Sequence, residues 1–350
     1  MSKILITLAL SNEYNAASKA RQDAEAIAKA AGYRAFLFKG PSTSTGSLTS
    51  GLKLAWTGWQ NWRRLLKEVE PGSSVLVQYP HYPMKSAYLA RWLLPWARRK
   101  KQLHFTALIH DLNSLRGTFG KAAMYSDHHF LKQFDAVICH NPRMKEELVR
   151  WGFDEKRLLV LGLFDYLTDA PPKEHHLEDG VAVAGNLSAT KCGYVAKLAE
   201  MADYPLHLYG NGLDRELPDT AQYHGAFPPD ELPAHLEGAF GLVWDGPSVE
   251  TCDGLMGRYL GYNNPHKVSL YLAAGMPVIV WSGSALAPLV EENGIGLKVG
   301  RLEQIGRELQ NMSQSEYEFM CQNARNLGKH LREGELFNKA IQKDKTFLTL

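Results

Sequence analysis

Asn263, Asn264, Pro265, His266 and Lys267 stand directly in front of an apolar run, VSLYLAAGMPVIVW, that begins with helical character. A helix start presents unpaired N–H groups and the positive end of the peptide dipole, and the two together favour a phosphate. Pro265 suits the first helical turn, where the N–H it lacks would be unpaired anyway, and Asn264 is then the expected cap. Lys267 adds a point charge and His266 a further donor. Two other stretches offer related chemistry. In AGNLSATK a strand ends at Gly185 and Asn186 and a helix opens near Ser188, with Lys191 as a charge partner. In HLYGNG the residues Tyr209, Gly210, Asn211 and Gly212 close the next strand and offer backbone and an aromatic face to a nucleobase. Taken singly, each also reads as an ordinary capped turn. All three fall on one sheet edge, and that coincidence favours a crevice for a phosphorylated ligand.

Further candidates surround these. The polar insert from Trp244 to Tyr262 reads as a long loop, in which Asp245, Glu250, Thr251 and Asp253 could accept ribose or sugar hydroxyls. In LIHDLNSLRG, His110, Asp111 and Arg116 lie just past a strand end, where a carboxylate beside a histidine suits a general base for a hydroxyl. Asn15, Lys19 and Arg21 stand at a helix entrance, and Tyr79 to Tyr82 supply aromatic surface for stacking on a sugar ring. Asp-X-Asp, HxxxH and HExxH patterns are absent from the chain, so no metal and no cofactor are expected. Phosphate charge would then be met by Lys267, Lys191 and helix N-termini.

Elements must position these groups. Short β-rich runs alternate with helical stretches: residues 3–10, 33–40, 74–80, 103–111, 135–141 and 158–167, then 181–187, 205–212, 221–227, 240–246, 276–283 and 295–300. The proline- and charge-rich segment 168–180 separates the two series as a linker. The expectation is an α/β chain with a Rossmann-like domain over 1–168, a second over 169–330 that binds the ligand, and a terminal helix, 331–350, crossing back onto the first. In the first helix Ala20, Ala24, Ile27 and Ala28 share a face.

Composition narrows the class. With 350 residues, 45% hydrophobic and 22% charged, the chain can build packed cores, and a net charge of +2 argues against a general nucleic-acid binder. Cys139, Cys192, Cys252 and Cys321 are widely spaced and read as reduced packing residues. MSKILITLAL turns polar too early for a signal peptide, and no apolar run reaches the roughly 18 residues of a membrane span. A cytoplasmic location follows as an expectation. Trp56, Trp59 and Trp62 precede Arg63, Arg64 and Lys67, and Trp92 and Trp96 precede ARRKK; helices of this kind either cover a sheet or rest on an anionic membrane face.

YLGYNNPHKVSLYLAAGMPVIVW, the upstream VWDG and TCDG, VAVAGNLSATK and HLYGNG together resemble bacterial glycosyltransferases that include the glucosyltransferase of serine-rich adhesin glycosylation and the β-1,6-galactofuranosyltransferases. QYP, HDLNSLR and the Asn15 to Asp23 segment are similar to the family pattern as well. The resemblance implies a GT-B architecture, two Rossmann-like domains facing across a cleft, with a UDP-sugar on the second and the acceptor on the first. By the same resemblance Tyr209, Asn264 and Lys267 contact the nucleotide diphosphate, the segment after Ser11 reaches the reaction centre, and Lys191 stands where an arginine is usual. The implied activity is inverting transfer of glucose or galactofuranose to a hydroxyl of a glycan, glycopeptide or lipid-linked acceptor, with Asp111, aided by His110, as base. Self-association and peripheral membrane contact are open as partner modes. The alternatives are a UDP-sugar epimerase on the same scaffold and a non-catalytic partner of another glycosyltransferase.

Overall fold

All twelve β-rich runs contain a strand in the computed structural model, which describes residues 2–7, 16–39, 48–81, 90–118 and 120–347. The first six are β1 (Lys3–Thr7), β2 (Arg34–Leu37), β3 (Ser74–Tyr79), β4 (His104–Ile109), β5 (Ala136–Cys139) and β6 (Leu158–Val160). They form one parallel sheet in the order β2-β1-β3-β4-β5-β6. The others are β7 (Val181–Ala184), β8 (Leu206–Tyr209), β9 (Ala221–Tyr223), β10 (Phe240–Val243), β11 (Val278–Trp281) and β12 (Gly296–Val299). Their sheet, also parallel, runs β12-β11-β10-β7-β8-β9.

Parallel strands need helical crossovers, so both faces of each sheet are covered and the central strands are apolar on both sides. In β1, Ile4 and Ile6 point into a core with Trp62, Leu65 and Leu94 from the helices Leu48–Glu68 and Ala90–Lys101. Leu5, between them, points the other way, toward Ala24, Ile27 and Ala28 of the helix Ala16–Ala30. The Ala20, Ala24, Ile27 and Ala28 face is therefore a buried one. Of the tryptophans, Trp62 is core, while Trp56 and Trp92 are 62% and 68% exposed.

The last helix, Glu335–Phe347, packs against the first sheet rather than the second. Phe337, Ala340 and Ile341 share a core with Leu5, Leu76 and Leu108, worth about 1.5–3 kcal/mol for each large side chain buried. Asp165 holds the start of this helix by accepting from the backbone N–H groups of Leu336 and Phe337. Asp344 near its end bonds Thr106 and the ring of His104. The chain thus ties its end to the domain in which it began.

Two local readings change. The insert 244–262 is not loop throughout, since Gly254–Tyr259 is a helix. The helix after NNP runs His266–Ala273, but Pro265, not Asn264, occupies its cap position, and no side chain caps it.

Candidate donor and acceptor site between the domains

The exits of β7 and β8 lie against one another. Gly185 N–H donates to the Tyr209 carbonyl and Leu187 N–H to the Asn211 carbonyl. Gly210 has φ +130°, and a Cβ on it would fall 1.7 Å from the Gly185 oxygen, so only glycine permits this approach. A Cβ on Gly185 would meet nothing within 4 Å, which leaves that side of the turn open. Asn186 is exposed and its Oδ1 accepts from Ser188 N–H at 2.9 Å, shaping the turn into the short helix Ala189–Cys192. Gly212 closes over the same turn, 3.1 Å from Asn186 Oδ1 as a Cβ would measure it. Arg215 braces the turn from behind, donating to the carbonyls of Leu187 and Cys192. Nothing in the sequence marked Arg215.

Lys191 makes no ion pair among the described residues, and its ammonium acts across the cleft on Asp111 of the first domain. Asp111 follows β4 and is paired with Arg116 at 2.9 Å, yet its carboxylate keeps 29% exposure. Burial pushes its pKa above the ordinary 3.8, against the pull of Arg116, Arg21 and Lys191. His110 has its ring stacked on Phe164 and its Nε2 2.7 Å from Gln78 Oε1. Burial holds His110 neutral, well below the usual histidine range, and the neighbouring Arg21 adds to this. The second domain approaches through Tyr259, whose hydroxyl accepts from the N–H of Leu112, one residue past Asp111. Tyr259 and Arg21 thus belong to this constellation. Arg21 was legible as a cation at a helix entrance, whereas Tyr259 was hidden inside the insert.

In that insert, Thr251 is half-buried and Asp253 sits at the start of the helix Gly254–Tyr259. Asp253 Oδ1 is buried without a hydrogen-bond partner among the described residues, an unmet acceptor that fits a hydroxyl donor. Glu250 is spent on Arg301.

Several expected contacts have other work. Asn264 is buried in a clasp between the domains: its Oδ1 accepts from Asn141 Nδ2 at 2.6 Å, its Nδ2 donates to the carbonyls of His140 and Gly162, and its N–H donates to His140 Nδ1 at 3.1 Å. His140 can accept there because its Nε2 donates to the Ile109 carbonyl, and burial keeps it neutral with a pKa of about 4. Asn141 also caps the helix Pro142–Arg150. The Asn-Pro pair at 141–142 repeats the one at 264–265, and that repetition was the available signal.

His266 is likewise committed. Its Nε2 is 3.1 Å from the Asp165 carbonyl, its ring stacks on Tyr166, and burial lowers its pKa to about 4, so it carries no charge toward a phosphate. Lys267 is 9% exposed and donates to the Trp244 carbonyl and to Asp245 Oδ1 at 2.8 Å. Burial alone would lower its pKa, but the Asp245 carboxylate holds it above the ordinary lysine value. The ion pair fixes the floor beneath the Gly185–Cys192 turn, and the ammonium is not free while it stands. Tyr209 has its ring covered by His224, 4.7 Å away and nearly parallel, and its hydroxyl bonded to the backbone of His235 and Glu237. No bare aromatic face is left for a base.

Two residues expected on the acceptor side are also engaged within the protein. Lys19 is buried between Asp23 and Asp230, at 2.7 and 2.6 Å, and braces the linker. Tyr79 is fully buried and donates to Asp127. Asn15 and Tyr82 lie outside the described residues.

Two Rossmann-like domains apposed at their strand exits, one with a glycine-lined turn and a lysine, the other with an elevated carboxylate, define a GT-B glycosyltransferase. The chain belongs to the Glucosyltransferase 3-like family: residues 3–163 match its N-terminal domain and residues 181–344 its C-terminal domain. It is 34% identical over 270 residues to the β-1,6-galactofuranosyltransferase WbbI of Escherichia coli K12, covering 75% of this chain and 77% of the relative. It is 28% identical over 248 residues to glucosyltransferase 3 of Streptococcus gordonii, covering 69% and 70%. Anabaena HepE in complex with UDP and glucose superposes over the whole of both chains with a TM-score of 0.63 at 12% identity, a likeness of fold.

Proposed function

We propose that this glycosyltransferase moves a hexose, glucose or galactofuranose, from a UDP-sugar to a hydroxyl of a glycan, glycopeptide or lipid-linked acceptor. The observation that carries the reading is Asp111, with its raised pKa, opposite Lys191 and the open Gly185 turn. The names of WbbI and glucosyltransferase 3 support the two donor sugars, and the HepE complex supports UDP.

In the proposed step the acceptor oxygen forms a bond to the anomeric carbon as the bond from that carbon to the diphosphate breaks. The acceptor proton goes to Asp111, and UDP leaves with the electron pair, its charge met by Lys191 and the N–H groups of Asn186, Ala189 and Thr190, which the hydrogen bonds described for the turn leave unused. The configuration inverts. In this reading His110, bonded to Gln78 and held neutral by burial, aids the base by positioning the Asp111 turn. Asp253 offers its unmet oxygen to a donor hydroxyl. No metal is assigned to the diphosphate, a reading supported by the absence of any Asp-X-Asp pair; added Mg²⁺ or Mn²⁺ should leave turnover unchanged.

The test is UDP release from UDP-glucose and UDP-galactofuranose with and without sugar acceptors. Acceptor-dependent release, lost in Asp111→Asn and sharply weakened in Lys191→Ala, is the expected result. Free epimerised nucleotide without an acceptor, or a folded chain that binds no UDP, would overturn it. A lipid-linked acceptor is supported by the exposed Trp56, Trp59, Trp92 and Trp96 beside Arg63, Lys67, Arg99 and Lys100 on neighbouring helices. Flotation with anionic vesicles should carry the protein, and the Trp56→Ser/Trp92→Ser double variant should stay behind. No helix among the described residues is long and apolar enough to cross a membrane.

A further inference from the structure

His207, His224 and Glu237 converge from three separate segments behind the wall of the donor crevice. His207 lies within β8, His224 just after the edge strand β9, and Glu237 in the approach to β10. One ligand atom from each lies within 4.8 Å of the others. We propose that these three side chains bind one zinc-class divalent cation, which pins the exit of β9 and the approach to β10 onto β8.

Tautomer chemistry points the same way. His207 Nε2 lies 3.0 Å from the Asp179 carbonyl, which can only accept, so Nε2 carries the ring proton and the Nδ1 lone pair faces the cluster. A carbonyl partner on the far ring nitrogen is the usual support of a metal-bound histidine. His207 is buried and cannot swing to solvent, and His224 is held flat against Tyr209.

Distances agree with the donor set. A tetrahedral ion with ligand bonds of about 2.05 Å separates its ligand atoms by about 3.4 Å. His207 Nδ1 is 3.1 Å from His224 Nε2 and 3.7 Å from Glu237 Oε2, each about 0.3 Å from that separation, and the third gap, His224 to Glu237, is within 4.8 Å and closes by a turn of the half-exposed glutamate. Two imidazoles and one carboxylate suit zinc, and also cobalt or nickel, better than calcium or magnesium, which prefer all-oxygen shells. On binding, the His224 proton moves from Nε2 to Nδ1, freeing the Nε2 lone pair for the ion. Glu237 is half exposed, so the ion can enter from solvent and keep water as its fourth ligand.

The cation would not touch the diphosphate. Its effect on the crevice would pass through Tyr209, whose ring rests on His224 and whose hydroxyl accepts from Glu237 N–H. The inference therefore stands apart from the proposed donor and acceptor roles, and its test does not use turnover.

The experiment titrates untagged full-length protein, freed of metal by chelation and dialysis, with Zn²⁺ by calorimetry near pH 7.5. Co²⁺ is run in parallel for its tetrahedral visible absorption. One ion per chain at micromolar affinity or tighter is expected, with a rise in melting temperature. His224→Ala and Glu237→Gln should each weaken binding at least ~10-fold, and Glu237→Gln, at an exposed side chain, should melt like the metal-free wild type. The other histidine–carboxylate group, His330, Glu333 and Glu335, serves as comparator. Binding that survives both of those substitutions, or that disappears in His330→Ala, would overturn the proposal, as would failure to take up either ion.

Discussion

Asn264→Ala separates two accounts of the same residue. If Asn264 is the clasp between domains, the substitution removes three side-chain hydrogen bonds, to Asn141 Nδ2 and to the carbonyls of His140 and Gly162. Two of those partners keep a second bond: Asn141 Nδ2 still reaches the Tyr262 carbonyl, and the His140 carbonyl still accepts from Gly162 N–H. The Gly162 carbonyl loses the amide outright. Counting about 1 kcal/mol for each bond with a retained alternative and 1–3 for the group left short gives a loss of about 3–5 kcal/mol. Urea unfolding followed by fluorescence should show it, with a broader or split transition as the domains uncouple. A double-mutant cycle with Asn141→Ala should return a coupling of at least ~0.5 kcal/mol, since the two amides touch. UDP affinity should change little. The reasoning is refuted if Asn264→Ala unfolds like the wild type but binds UDP ten-fold more weakly, because Asn264 would then be a nucleotide contact.

Other expectations rest on single features. Lys267→Met leaves Asp245 as a buried unpaired carboxylate and should cost about 3–5 kcal/mol in urea unfolding, with much of the loss recovered in Lys267→Met/Asp245→Leu. Gly210→Ala drives a Cβ into the Gly185 carbonyl and should destabilise the fold severely, while Gly185→Ala, strained only by its φ of +131°, should cost about 1–2 kcal/mol. For pH dependence, Asp111 must be ionised to take a proton, so kcat/KM should fall as pH drops, with a midpoint above the ordinary 3.8 because burial raises its pKa. Arg116→Gln removes a cation that lowers that pKa, so the acid limb should move to higher pH; a shift to lower pH would contradict the assignment.

The twelve strands and their division into two series were legible because parallel strands covered on both faces must be apolar over short runs, a pattern local to each run. The turn at residues 185–191, entered at Gly185 and faced by Gly210 and Gly212, was legible for a similar reason, as glycine at a strand exit signals close backbone approach whatever lies opposite. The partners of Tyr79 and Lys19 were not legible, because their sequence neighbours, aromatic and polar respectively, say nothing about Asp127 or Asp230, which meet them only in space.

NNPHK marks the division most clearly. The sequence by itself determined that a rigid helix starts there and that polar groups crowd its entrance. Whether those groups face a ligand or the protein depended on what the fold brought opposite: His140 and Asn141 at the end of β5, the Asp165 carbonyl after β6 and Asp245 after β10. Such partners lie roughly 20 to 125 residues away, and pairing of that range is decided by how sheets and linker pack, not by composition near the motif. The fold pairs Lys267 with Asp245, leaves Lys191 outside any ion pair among the described residues, and hydrogen-bonds Asn264 across the two domains.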